Sequence, residues 1–262
     1  MIENLRREAY PAAIYKSREM PVVSYFGHIP WEIIYSFDVL PIRAYGIDYY
    51  VVEEEHSLCS MLNSTVEYLR RDKCPFMYAS SYFIVDDYCP LRTQVIQEHF
   101  DPVYVYQDPD RLINFLEDTF EKEFDEEQFI QVTEKSARIS ELLVDIQYSN
   151  LPPSDINKYQ YFTQYIFDLD ERIQYLESVE FQKKKDQNFI ELGQIAGIFQ
   201  HFDQEVILEG RFCEGESHIV TESRGFNFIQ EKYQRPVGQQ PKFNVNRCEL
   251  FKENYLKYEG ED

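Results

Sequence analysis

The sequence predicts an α/β fold: a doubly wound parallel-sheet domain, a helical hairpin connector and an incomplete second α/β domain. Short β-branched and aromatic segments alternate with helical segments up to about residue 125, and the connections between them are short, as in a parallel sheet. From residue 126 the apolar residues keep helical spacing instead. The predicted parts are therefore 1–125, 126–186 and 187–262.

The elements of the first part follow from apolar runs and the signals at their ends. After a lead-in helix within residues 1–20, four runs rich in β-branched and aromatic residues predict strands. These strands are 22–26, 40–45, 76–85 and 103–106. Segments of helical periodicity, two of them with a proline near the start, separate or follow the strands. These helices are 30–37, 58–70, 90–100 and 110–123.

Helical periodicity dominates the next part of the chain. One long helix ends before a Pro-Pro pair, and a second, capped by Ser154 or Asp155, runs to the lysines near residue 183. These two helices form the predicted hairpin. Residues 189–202 also show helical spacing, and residues 205–208 predict a short strand.

Composition limits the classes of partner. With 262 residues and 44% apolar side chains, the chain is large enough to bury a full core. The net charge of −21 argues against nucleic acid or an anionic membrane as a partner. No signal peptide and no long apolar span is recognisable, so we expect a soluble, cytoplasmic protein. Five irregularly spaced cysteines predict no disulfide framework.

Two of the cysteines lie where the predicted fold favours thiolates. Cys59 lies at the start of a predicted helix, and Cys89 follows a predicted strand and precedes Pro90, the expected first residue of the next helix. Backbone N–H groups and the helix dipole favour negative charge there, and metal ligands must be thiolates. Ligands also collect at the carboxyl ends of strands in such sheets. The simpler alternative is that all five cysteines are small buried apolar residues.

Other catalytic motifs are absent from the sequence. There is no phosphate-binding glycine loop and no serine nucleophile elbow, and the five histidines lack metal-ligand spacing. His56, three residues before Cys59, is a candidate neighbour of a metal site or a helix cap. His218 could form a small metal site with Cys213 and nearby acids. No catalytic residue can be assigned.

Several short blocks together resemble the 2-hydroxyacyl-CoA dehydratase and benzoyl-CoA reductase family, which includes the double-cubane cluster proteins. The blocks are an opening strand, a helix similar to V-P-x-E-I-I-Y-A-A-G, a strand similar to L-P-V, a pattern similar to L-C-x…K-C-P-Y, and a cysteine that follows a strand. In this sequence they are 23–26, 28–35, 40–43, 57–59 with 73–76, and 86–89. The resemblance is strong up to Cys89 and faint beyond residue 185.

This resemblance implies a subunit of an oxygen-sensitive enzyme that binds a [4Fe–4S] cluster through cysteines. It implies a homologous partner subunit, in a heterodimer or homodimer, an ATP-dependent activator protein that delivers one electron, and an acyl-CoA substrate. One-electron reduction of the thioester carbonyl would then lead to dehydration or to reduction of the substrate, and the resemblance does not choose between them.

Residue by residue, the resemblance makes Cys59 and Cys89 the first two cluster ligands. Cys74 and Glu32 match positions interpreted as structural or adjacent to the site, and Arg92 is one of the departures from the family pattern around the second ligand. The family's third cysteine has no counterpart by this alignment, which puts the cluster itself in question and makes Cys213 a further candidate ligand.

Two alternatives to a cluster-binding subunit remain open. The chain could be a structural subunit that keeps the first domain and the pairing surface, holds no cluster and stabilises a catalytic homologue. It could also be an unrelated α/β protein with a small-molecule pocket, whose cysteines are packing residues.

Overall fold

A four-stranded sheet, with all strands parallel, organises the protein. The computed structural model describes residues 2–27, 29–45, 60–87, 89–184, 189–191 and 207–209. The strands are β1 (Val22–Phe26), β2 (Leu40–Arg43), β3 (Tyr82–Asp86) and β4 (Val103–Tyr106), in the spatial order β2-β1-β3-β4. The predicted α/β class with a parallel sheet is confirmed.

Helices connect the strands and extend beyond them. They are α1 (Leu5–Lys16), α2 (Trp31–Tyr35), α3 (Ser60–Arg70), α4 (Pro75–Ala79), α5 (Pro90–His99), α6 (Pro109–Phe120), α7 (Glu126–Gln147), α8 (Pro153–Phe162) and α9 (Leu169–Glu177). Side-chain oxygens of Asp108, Asp125 and Asp168 accept backbone N–H groups at the starts of α6, α7 and α9. These aspartates fix where the three helices begin.

The helices cover both faces of the sheet. Side chains alternate along β1, so that Val22 and Phe26 join one core cluster whereas Val23 and Tyr25 join the other. The first face is covered by α1, α3, α4 and α5, and the second by α2, α6, α7 and α9. Because the central strands β1 and β3 are buried on both faces, their residues read as nearly continuous apolar runs.

One predicted strand is partly wrong. The run 76–85 divides into the short helix α4 and the strand β3. Pro75 occupies the first turn of α4, where its missing N–H costs nothing, and Ser80 ends the helix in an extended conformation. The Ser80 hydroxyl donates to the Phe76 carbonyl and also contacts the Ser24 hydroxyl at 2.6 Å, which attaches this turn to β1.

The second helix of the predicted hairpin is interrupted. After α8, a 3-10 turn at Thr163–Tyr165 leads through extended backbone at Ile166 to α9. Asp168 restarts the helix by accepting the N–H groups of Asp170 and Glu171. The sequence does not reveal this break, because apolar residues continue at similar spacing across it. In the structure, Phe162, Tyr165 and Phe167 enter the core cluster of the first face, whereas Leu169 enters that of the second.

The helical prediction for residues 189–202 is wrong in its described part. Residues Phe189–Glu191 form strand β5, which pairs in parallel with β6 (Ile207–Glu209). The strand predicted at 205–208 therefore exists with a shift of one or two residues. Elements predicted beyond residue 209 lie outside the described residues.

Helix α7 belongs to the core of the second sheet face and packs against α2, the helix between β1 and β2. Its buried residues Phe129, Ile139 and Ile146 share a cluster with Val23 of β1 and Ile84 of β3. The proposed three-part division of the chain stays a prediction. Within the described ranges, none of the helices is both long and apolar enough to cross a membrane.

Candidate functional site

The carboxyl ends of β1 and β3 form the switch point of the sheet. After β1 the chain crosses to β2 on one side, and after β3 it crosses to β4 on the other. The loops that leave β1 and β3 therefore diverge, which opens a crevice in sheets of this kind. Gly27 follows β1, and Cys89 follows β3, so the sequence-predicted Cys89 lies at this switch point.

A buried ion pair occupies this end of the sheet. The Arg92 guanidinium of α5 donates a hydrogen bond to Asp86 Oδ1 at the end of β3, and the side chains are 1% and 0% exposed. Burial acts to lower the pKa of Arg92, but its ionisable neighbours Tyr45, Asp86 and Cys89 together raise that pKa above its ordinary value. Arg92 therefore carries a fixed positive charge between β3 and Cys89.

Gly27 is required by the close approach of this pair. A Cβ atom at Gly27 would lie 2.3 Å from Asp86 Oδ2 and 2.4 Å from an Arg92 guanidinium nitrogen. The backbone of Gly27 also has a φ of +87°, which residues with a side chain rarely adopt. Only glycine lets the loop after β1 pass over the buried Asp86–Arg92 pair.

Cys89 is the N-cap residue of α5 and is half-buried. Pro90 follows it in the first turn, as the sequence predicted. The Cys89 carbonyl accepts the Thr93 N–H at 3.0 Å, and the Thr93 hydroxyl donates to the Asp86 carbonyl at 2.7 Å. These bonds hold the turn from β3 to α5. The helix N-terminus and Arg92 both favour negative charge on the Cys89 sulfur.

Cys74 lies elsewhere, inside the core of the first sheet face. It is 4% exposed, and burial raises the pKa of its thiol, partly offset by the positive charge of Arg6. Arg6 is itself buried and donates to the Tyr45 carbonyl at 2.6 Å. A neutral buried thiol packs as a small apolar residue. The structure therefore does not place Cys74 as a metal ligand.

Glu32 is fully buried in α2 and accepts a hydrogen bond from the Ser136 hydroxyl of α7 at 2.7 Å. Helices α2 and α5 cover opposite faces of the sheet. The structure thus does not bring Glu32 to the helix that carries Cys89 and Arg92, and its observed contact joins two helices of the second face.

The remaining predicted site residues, Cys59, His56 and Cys213, lie outside the described residues. Helix α3, which begins one residue after Cys59, packs beside α5. Among the residues that the structure describes, no group of three His, Cys, Asp or Glu side chains is placed to hold a metal ion. Within that part of the chain, Cys89 is the one predicted ligand.

Sequence reasoning missed Gly27, Tyr45, Asp86 and Ser136. The sequence does contain a signal for Asp86. An acid at the end of a buried strand is followed six positions later by an arginine in the next helix, which is a spacing that allows an ion pair. Gly27 directly follows the apolar run of β1, which is where a tight turn at a strand end is expected. The pairing of Glu32 with Ser136 spans 104 positions and leaves no local trace.

The comparisons with known proteins do not identify a family. No family model matches the chain, and no curated protein matches it either. The resemblance rests on the short blocks quoted above, and the family stays a prediction.

Proposed function

We propose that the chain is a subunit of an iron–sulfur enzyme similar to the 2-hydroxyacyl-CoA dehydratases and benzoyl-CoA reductases, with Cys89 as a cluster ligand. The observation that supports this best is the placement of Cys89 at the N-terminus of α5, at the switch point of the parallel sheet. A thiolate is the ligand that such a cluster needs, and this position favours one.

Among the described residues, one side chain, that of Cys89, fits the role of a cluster ligand. Cys89 is half-buried, so its sulfur is not sealed in the core as that of Cys74 is. Cys59 is the proposed second ligand, and Cys213 or a residue of a partner subunit the third. When bound, the cluster would supply one-electron reduction of an acyl-CoA thioester. Arg92 would hold positive charge beside the thiolate, and Asp86 would orient Arg92.

A second candidate is a structural subunit that holds no cluster and pairs with a catalytic homologue. The observation that favours it is the Asp86–Arg92 pair, which buries two charged side chains at the carboxyl end of β3. Space used by these side chains is not open to a substrate. In this alternative, Cys89 only occupies the N-cap position of α5, and the pair stabilises the loops of the switch point.

Iron analysis separates the two candidates. The protein is purified without oxygen, and iron and acid-labile sulfide are measured per chain together with the EPR spectrum. About four irons per chain are expected for one cluster of this type. The substitutions Cys89→Ser and Cys59→Ser should each remove the iron, whereas Cys74→Ser, the matched control, should retain it and lower only stability.

Iron-free protein that is folded and co-purifies with a homologous iron-containing chain would establish the structural-subunit role. Equal loss of iron in all three variants would show that the ligand assignment is wrong.

A further inference from the structure

We propose that two copies of this chain pair along the edge strand β4, which joins their four-stranded sheets into one continuous sheet. In the spatial order β2-β1-β3-β4, the strands β2 and β4 form the two edges. No strand among the described residues pairs with the outer side of β4. An open strand edge is a template for hydrogen bonding to another chain.

The backbone of β4 directs two residues towards this open side. The Pro102 carbonyl accepts the Phe83 N–H of β3 at 3.0 Å, and Phe83 lies in register with Val103. Backbone groups alternate in direction along a strand, so Val103 and Val105 point away from β3. Among the backbone hydrogen bonds of the described residues, none reaches Val103 or Val105 from the outer side. Each of the two residues therefore offers one N–H donor and one C=O acceptor to a new strand.

The opposite edge of the sheet is protected. The Leu40 N–H donates to the Pro21 carbonyl at 2.9 Å, so Leu40 faces β1 and Pro41 faces outward. Proline has no N–H group, and natural sheets use it on edge strands to prevent pairing. Strand β4 consists of valine and tyrosine alone, and its first three residues are half-buried. Of the two edges, β4 is therefore the one that is suited to pairing.

A second copy fits this edge because the edge is complementary to itself. In an antiparallel pair centred on Tyr104, Val103 of each copy lies opposite Val105 of the other. Both valines face outward, so each such pair exchanges both of its N–H···O=C hydrogen bonds. A two-fold axis through the centre of the pair thus satisfies every outward-facing group of Val103 and Val105.

The side chains are compatible with this register. Tyr104 of the two copies would meet at the non-hydrogen-bonded position, where side chains approach most closely and aromatic pairs are favourable. The Tyr104 ring stacks on Phe115 with 4.0 Å between the ring centres, which holds it in place. Beside the strand, Asp101 would lie opposite Gln107 of the second copy, so like charges do not meet there. The net charge of −21 opposes association over longer distances, and salt screens this repulsion.

The pairing goes beyond the proposed function, because it does not use Cys89 and its test is independent of the iron analysis. Sedimentation of the full-length protein over a dilution series at about 0.15 M NaCl measures its mass. We expect twice the mass of one chain at high concentration, reversible dissociation on dilution, and a tighter dimer at higher salt. A monomer at every concentration and salt would overturn the proposal.

Hydrogen exchange at single residues identifies the paired surface. The N–H groups of Val103 and Val105 should exchange faster when the dimer is diluted. The N–H group of Tyr104, which faces β3, should stay protected in the monomer as well. A dimer in which the protection of Val103 and Val105 does not depend on concentration would show that the copies pair elsewhere.

Two variants test the strand itself. Val105→Pro removes an outward N–H group without removing a hydrogen bond to β3, and it should raise the dimer dissociation constant at least about tenfold. If this variant does not fold, Tyr104→Lys decides, because it places like charges opposite each other and should weaken the dimer by at least a similar factor. The matched control is Tyr78→Lys, at a tyrosine of α4 that is 84% exposed, and it should leave the dimer unchanged. Unchanged dissociation constants in the folded β4 variants, or an equal loss in the control, would rule out this interface.

Discussion

Arg92 of α5 and Asp86 of β3 form an ion pair that is almost completely buried, directly beneath the loop that contains Gly27. Burying two charges is costly unless each is paired, because both lose their hydration. The pair therefore ties together three neighbouring segments: the end of β3, the first turns of α5 and the loop after β1.

We expect either single substitution in this pair, Asp86→Asn or Arg92→Met, to lower the free energy of unfolding by about 3 kcal/mol, because each disrupts a buried pair. The double variant should lose less than the sum of the two, by at least about 1 kcal/mol. Urea unfolding measures all three. Lys135→Met removes an exposed ion pair with Asp170 and should cost less than about 1 kcal/mol. If the Asp86 and Arg92 variants lose no more stability than Lys135→Met, the prediction is contradicted.

Gly27→Ala should lower the free energy of unfolding by about 2–4 kcal/mol. The positive φ contributes about 1–2 kcal/mol, and the clash with Asp86 and Arg92 contributes the rest. The control is Asp72→Gly, at an exposed residue with a φ of 49°, which removes a Cβ from a positive-φ position and so measures the backbone contribution without the clash. Thermal or urea unfolding is the measurement, and a cost of Gly27→Ala no larger than the gain from Asp72→Gly would show that the close approach is unimportant.

In folded protein from which any iron has been removed, Cys89 should react with iodoacetamide at least about tenfold faster than Cys74. Burial raises the pKa of Cys74 and shields its sulfur, and each pKa unit lowers the thiolate fraction about tenfold. Peptide mapping by mass spectrometry after timed labelling distinguishes the two residues. In urea the rates should converge. Fast labelling of Cys74 in the native state would mean that the core of the first face opens readily.

Stability should fall at alkaline pH, in part through Tyr35. Burial, and secondarily the charges of Asp168 and Asp170, raises the pKa of Tyr35 above 10.0. The folded state therefore keeps this proton when the unfolded state has lost it, so the stabilisation is complete below about pH 10 and is lost as the pH rises through the folded-state pKa.

The test is the free energy of unfolding between pH 8 and pH 11. Tyr35→Phe should flatten the alkaline fall, and at neutral pH it should cost about 1 kcal/mol because the hydroxyl no longer donates to the Phe167 carbonyl. The control is Tyr78→Phe, whose side chain is 84% exposed. An alkaline slope identical in the wild type and both variants would rule out this contribution.

The parallel sheet could be predicted from the sequence, because its strands are short β-branched and aromatic runs that lie between helical segments. Strand β4 has the predicted bounds, and β1 does as well. Helix α4 was missed because a five-residue apolar helix shows no periodicity, although Pro75 at its start was a usable signal. The break before α9 was missed because apolar spacing continues across it, although Phe167 packs on the first face and Leu169 on the second.

The candidate site could be located only in part. Pro90 after a buried strand was enough to place Cys89 at a helix N-terminus. The partners of Arg92 depend on the spatial approach of β1 and β3, which no local pattern encodes. For the same reason, the hydrogen bond from Ser136 to Glu32, which lie 104 positions apart, became visible only in three dimensions.

The place of α7 in the core of the second sheet face determines where the chain can be cut for expression. A fragment ending at residue 125 would lack Phe129, Ile139 and Ile146, which belong to the same core cluster as Val23 and Ile84, and would leave α2 without the long helix that packs against it. Apolar residues of that cluster would then face water, and the fragment would be prone to aggregate. A fragment extended through α9 keeps this cover, so recombinant work on the sheet and its switch point should retain residues up to about 184.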